Sequence, residues 1–128
     1  MLKTAATVAT LFGLLILGVW ALPSSHDASA LTGRWRFLVR LPETGTSTVM
    51  FTLQQDGERL SGTYEGSYGR VPIAGTLVGD RIVFSFTARD TEVTYRGTVG
   101  AREMEGVCDY GALNGEGTWT ATRDISVF

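Results

Sequence analysis

The 128-residue chain has 16 glycines, a composition 44% hydrophobic and 10% aromatic, and a formal net charge of −2, which suits one domain of short strands and tight turns better than long helices or a disordered tail. Beyond Lys3 every basic residue is an arginine interspersed among acids, so no basic block marks a nucleic-acid binder. Cys108 is the only cysteine and His26 the only histidine, which removes an intramolecular disulfide, a CxxC motif, a lipobox, Cys or clustered-His metal sites, and Ser-His-Asp or Cys-His catalysis.

The first element, Thr4 to Leu22, reads TAATVATLFGLLILGVWAL without a charge. At 1.5 Å per residue it is long enough to span the hydrocarbon layer, and a transmembrane helix is expected over 1–23. Lys3 precedes it and no Lys or Arg follows until Arg34. The positive-inside bias therefore places the N-terminus in the cytoplasm and the rest on the periplasmic or extracellular face of the inner membrane. Lys3 and Trp20 mark the two interfaces, and Pro23 ends the helix. Ala5, Ala9 and Gly13 form a small-residue stripe at i, i+4 and i+8, the kind that lets a second membrane helix approach closely. The alternative is a cleaved signal peptide with Ala28-Ser29-Ala30 as its small-residue site; both readings export the domain, and the length of the apolar run favours retention.

Residues 24–30 are a small, polar tether, after which the pattern switches to period two and a β-domain is expected over 31–128. Trp35, Phe37 and Val39 alternate with Arg34, Arg36 and Arg40, and Val49, Phe51 and Leu53 alternate with Met50, Thr52 and Gln54. Each segment reads as a strand with one apolar face. Asp56-Gly57 is a hairpin signal leading into Leu60, Gly62 and Tyr64. Val71, Ile73 and Leu77 come next, then Gly79-Asp80, then Ile82, Phe84 and Phe86, with Arg89-Asp90 as the following turn. Val93, Tyr95 and Val99, then Met104 with Cys108, then Trp119 with Ala121 complete about eight strands joined by short turns. This is the plan of an all-β, antiparallel up-and-down meander, closed as a barrel or stacked as a sandwich. Pro72 has no N–H to donate and belongs at a strand start or an edge.

Ser61-Gly62-Thr63-Tyr64, Ala74-Gly75-Thr76-Leu77, Arg96-Gly97-Thr98-Val99 and Glu116-Gly117-Thr118-Trp119 form a weak internal repeat, with Glu105-Gly106-Val107-Cys108 as a looser copy. Each glycine falls in phase with the apolar face. A glycine there leaves room for a large neighbour and lets the strand bend, as a small closed sheet requires. Phe37, Phe51, Tyr64, Phe84, Phe86 and Trp119 are expected to fill the interior. Glu103, Glu105 and Asp109 are the nearest approach to an acid–base group, but Glu105 and Asp109 lie on the polar phase and read as a solvated face. Cys108 lies on the apolar phase as a small buried hydrophobe. Tyr68, Arg70 and Tyr110 fall at turns, where they could form an exposed contact surface, though no motif marks one.

Leu31-Thr32-Gly33-Arg34-Trp35 at the first strand, with Arg123 ending the last, resembles the G-x-W and closing-arginine signature of the lipocalins and other calycins. The resemblance implies a β-barrel in which Gly33, Trp35 and Arg123 close one end, the guanidinium covering the indole. Asp56-Gly57 and Leu60-Ser61-Gly62-Thr63-Tyr64-Glu65 are similar to the early strands of avidins. The polar residue that avidins place soon after the first tryptophan is replaced by Phe37, and Trp119 is the only later tryptophan. The segment Leu41 to Ser47 is also too short for a lipocalin's ligand-covering loop.

The expectation is a non-catalytic accessory subunit of a bacterial membrane complex. One helix anchors it, it contacts lipid and other membrane subunits, and the β-domain is a contact module without cofactor, metal or catalytic residue. This arrangement resembles the extra subunits around bacterial photosynthetic reaction centres with light-harvesting rings. The alternative is an exported calycin-like binder of a small hydrophobic ligand, with a pocket lined by Tyr64, Phe84 and Tyr95.

Overall fold

The computed structural model describes residues 30–125. The membrane-helix positions Ala5, Ala9 and Gly13, the interface positions Lys3 and Trp20, and the tether up to Ser29 lie outside the described residues. Within them, the alternation seen in the sequence becomes eight strands: β1 (Gly33–Leu41), β2 (Gly45–Asp56), β3 (Arg59–Gly66), β4 (Gly69–Val78), β5 (Arg81–Ala88), β6 (Thr91–Val99), β7 (Glu103–Asp109) and β8 (Glu116–Arg123). Each pairs antiparallel with the next, and β8 returns to β1, so the sheet is a closed barrel rather than a sandwich.

Closure follows from where the glycines sit. Gly97 of β6 faces Gly106 of β7, and the chain packs so tightly there that a Cβ on Gly106 would lie 1.9 Å from the carbonyl oxygen of Arg96. A Cβ on Gly75 would likewise lie 2.0 Å from the carbonyl oxygen of Val83. Strands without side chains at these points coil sharply and let eight short strands meet edge to edge. The resulting core is continuous, running from Leu31 to Ala121.

The connections are tight. Arg89 and Asp90 join β5 to β6 with φ of 49° and 61°, the left-handed pair that a two-residue hairpin needs and that residues other than glycine adopt at some cost. Pro72 is the fourth residue of β4, opposite Thr63, and lies before the β4–β5 ladder opens at Ala74. It therefore occupies a local edge.

Up-and-down winding sorts the loops. One end, the entry end, carries Ala30–Thr32, the turns after β2, β4 and β6, and Asp124. The far end carries the turns after β1, β3, β5 and β7. Among the described residues there is no helix long and apolar enough to cross a membrane.

Candidate functional site

The interior is occupied by the chain's own rings. Phe51 is fully buried and touches Phe37, Phe84, Tyr95 and Tyr64 with ring centroids 4.5, 5.0, 5.2 and 5.5 Å away. Phe37 also stacks on Trp119 at 4.8 Å, Phe84 on Tyr95 at 5.2 Å and Tyr64 on Phe86 at 4.5 Å. These centroid separations are those of rings in direct contact. Tyr64, Phe84 and Tyr95, the residues expected to line a ligand pocket, are thus brought together as packed core. Among the described residues the buried set beyond its rings is aliphatic, with Met104 and Cys108, and its only hydroxyls are those of Tyr64, Tyr95 and Tyr110.

The entry end is sealed by the motif residues. The Arg123 guanidinium lies 4.6 Å from the centroid of the Trp35 ring, which is 4% exposed. Its Nη1 donates to the carbonyl of Thr32 at 3.0 Å and its Nη2 to the carbonyl of Ala30. The indole N–H of Trp35 donates to the Leu31 carbonyl at 3.0 Å, and Leu31 N–H donates to Gln55 Oε1 at 2.9 Å. Gly33 lies beneath the guanidinium, where a Cβ would come within 2.7 Å of Arg123 Nη1. The first described residues are therefore stitched to β2 and β8.

All four tyrosines gather towards the far end. Tyr110, at a turn in the sequence, is 2% exposed and takes no part in an outer contact surface. The loop beyond β7 turns inward there, and the Tyr110 hydroxyl lies 2.6 Å from that of Tyr95. Burial pushes both phenols upward, that of Tyr95 well above its ordinary value. A buried phenol needs a polar partner, and each supplies the other's. Tyr68 is half-buried over Tyr64 and Tyr110. It accepts a hydrogen bond from Asn114 Nδ2 at 3.1 Å and lies under the Arg89 guanidinium at 5.3 Å. Nothing in the sequence around Asp109-Tyr110-Gly111 distinguishes a plug from a turn. Burial also pushes the Cys108 thiol up to about 11, which leaves it an inert hydrophobe at neutral pH. Glu103, Glu105 and Asp109 are exposed on the outer face, and no group of three His, Cys, Asp or Glu among the described residues could hold a metal.

The outer wall is asymmetric, which sequence reading missed. An open groove of about 630 Å3 crosses β5 to β8, with Gly97, Gly106 and Trp119 among its lining residues. Two outward rows pass through it, their ends at Thr76, Val78, Leu38 and Arg40 lying beyond its lining on β4 and β1. One is Thr76, Val83, Arg96, Val107, Thr118 and Arg40; the other is Val78, Arg81, Thr98, Glu105, Thr120 and Leu38. The exposed large hydrophobics of the strands are Leu38, Val78, Val83 and Val107, between 40% and 54% exposed, and every one lies in these rows. The ion pairs lie elsewhere: Arg34 with Glu65 and Asp124, Arg36 with Asp124, and Arg70 with Glu65. Among the described residues Arg81, Arg96 and Glu105 form no ion pair with one another.

Compared with protein-family models, with curated proteins and with solved structures, the chain matches none of them.

Proposed function

We propose that the protein is a non-catalytic accessory subunit of a bacterial membrane complex. Its N-terminal helix is held in the inner membrane among other subunits and lipid, and its β-barrel is a rigid contact module on the periplasmic face. The observation that carries this reading is the filled interior: with Phe37, Phe51, Tyr64, Phe84, Tyr95 and Trp119 each no more than 2% exposed, the surface available for recognition is the outside of the barrel. A short tether ending at the entry end suits a module that must be held close to the membrane. Photosynthetic reaction centre–light-harvesting assemblies are the class of complex that this architecture resembles.

The test is to extract the native protein from membranes in mild detergent, measure its intact mass and identify what accompanies it in stoichiometric amounts. Retention of the leader together with a defined set of membrane subunits is the expected result. Replacing Ala9 and Gly13 by Leu should then loosen that association while insertion persists. A mature chain beginning at Leu31 and purifying alone would refute the reading.

A second reading is supported by the contact among Gly33, Trp35 and Arg123, which has the form the calycin resemblance implies. On this reading the protein is an exported carrier of a small hydrophobic ligand, bound between Tyr64, Phe84 and Tyr95 after the rings rearrange. Stoichiometric co-purification of such a ligand would favour it.

A further inference from the structure

We propose that the β7–β8 loop is a lid over the far mouth of the barrel, and that the Tyr110 ring it carries occupies a binding subsite for a small neutral phenol. The proposal rests on the carrier reading, to which it adds an entrance and a ligand class. It leaves the interior as filled as before, because one ring replaces another.

The loop is built to move apart from the sheet. Residues 110–115 make the longest connection of the barrel, six residues against two or three at every other turn. Its backbone bonds close within itself: Tyr110 N–H donates to the Gly115 carbonyl at 2.8 Å, Leu113 N–H to the Tyr110 carbonyl at 3.0 Å and Gly115 N–H to the Gly111 carbonyl at 2.9 Å. Gly111 and Gly115 have φ of 52° and 73°, and a Cβ on either would meet nothing closer than 3.4 Å. Glycine serves the bend there, not a tight contact. Among the described residues two hydrogen bonds tie the loop to elements other than its own two strands: the Tyr110 hydroxyl with that of Tyr95 at 2.6 Å, and Asn114 Nδ2 to the Tyr68 hydroxyl at 3.1 Å. Lifting the loop costs those two bonds and the burial of Tyr110 and Leu113. The β7–β8 ladder, which stops at Asp109 and Glu116, stays intact.

What the ring covers decides what can replace it. Tyr110 meets Phe86 and Tyr95 edge-on, with centroids 6.3 and 5.9 Å away, and Tyr68 lies beside it at 6.2 Å. With the ring withdrawn, these walls leave a ring-sized apolar slot, and the hydroxyl of the fully buried Tyr95 loses its partner. An unpaired buried hydroxyl is costly, so the slot selects a flat ring that brings a hydroxyl of its own. Among the described residues no buried side chain carries a charge, and an ionised ligand would enter without a counter-ion. A neutral phenol meets both conditions, as the chain's own Tyr110 does.

The full chain in lipid nanodiscs, labelled with 3-fluorotyrosine, is titrated with p-cresol, which reproduces the tyrosine side chain, and with toluene, which lacks the hydroxyl. The chain has four tyrosines, so single Phe variants assign every fluorine signal. At equal free concentration p-cresol should move the Tyr110 signal towards that of a solvent-exposed tyrosine while circular dichroism stays unchanged, and toluene should leave it in place. In Tyr110→Ala no ring competes, and p-cresol should bind roughly tenfold more tightly than to the unsubstituted chain. It should also bind about fivefold more tightly than toluene, and adding Tyr95→Phe should reverse that preference. A Tyr110 signal indifferent to p-cresol up to its solubility, displacement only with loss of the β-sheet spectrum, or a preference for toluene in Tyr110→Ala would each overturn the proposal. If Tyr110→Ala does not fold, titration of the unsubstituted chain decides alone. Displacement by p-cresol in a protein that carries no ligand when isolated would count against the carrier reading alone; a native ligand bound with the Tyr110 ring still in place would count against the lid alone.

Discussion

Replacing Phe51 by Ala tests the filled interior directly. Phe51 is fully buried with five aromatic neighbours, from Phe37 at 4.5 Å to Phe86 at 6.1 Å. Truncating a buried Phe costs about 3–5 kcal/mol in lost transfer energy, lost ring contacts and residual cavity together. The upper part of that range, about 4–5 kcal/mol, is expected because a closed barrel cannot collapse inward without breaking its ladders. A domain of about a hundred residues is stable by roughly 5–15 kcal/mol, so the variant should still fold, with a melting temperature lower by roughly 15–30 °C. The assay is thermal and urea unfolding by circular dichroism, repeated in benzene-saturated buffer. A dry apolar cavity of this kind binds benzene, and binding to the folded state alone raises the melting temperature. Benzene should therefore stabilise Phe51→Ala and leave the unsubstituted protein unchanged. Benzene stabilising the unsubstituted protein, or a loss below about 1 kcal/mol in the variant, would show that the barrel holds usable space and would refute the packing argument.

Arg123→Ala removes the cation over Trp35 and both hydrogen bonds to the Thr32 and Ala30 carbonyls; a loss of about 1–3 kcal/mol is expected by urea unfolding, and Arg123→Lys should recover only part of it because a point charge cannot span both carbonyls. Stability should fall in alkali: the unfolded chain releases the Cys108 proton near pH 9 and the Tyr95 and Tyr110 protons near pH 10, while burial keeps all three bound in the folded state. The unfolded state then holds fewer protons, so the unfolding free energy from urea titrations should be level below pH 9 and then decline by roughly 1.4 kcal/mol per pH unit for each group in play, Cys108 between about pH 9 and 11 and the two tyrosines from about pH 10 upward. Midpoints independent of pH up to 11 would contradict that burial.

The strands were legible because each carries its apolar residues at every second position, and Phe37, Phe51, Phe84 and Trp119 point inward as that phase requires. Barrel or sandwich was not legible: the choice depends on whether Trp35 pairs with Arg123 at the end of the chain, and no local pattern encodes so distant a ladder. Tyr110 shows another limit. Asp109 Oδ1 accepts the Gly111 N–H at 2.8 Å, an ordinary turn contact, and the partners that hold the ring inside, the Tyr95 hydroxyl and the rings of Tyr68, Phe86 and Tyr95, are distant in sequence. The placement of the exposed aliphatic residues in two neighbouring rows was hidden for a third reason. Leu38, Val78, Val83 and Val107 each read as a common strand former in an outward position, and their alignment exists only once the registers of five ladders are known.

The stitching of Ala30 and Thr32 to Arg123 also has a mechanical consequence. A pull on the N-terminal side of the barrel enters at the start of β1 and runs along that strand, whose hydrogen bonds to β2 and β8 lie across the direction of force. Both ladders are then loaded in shear, sharing the strain over many bonds at once instead of peeling them singly as a pull on a hairpin's open end would. A pull applied at Ala30 is thus resisted by the ladders that β1 makes with β2 and β8, and the Arg123 clamp stiffens the point where the load arrives.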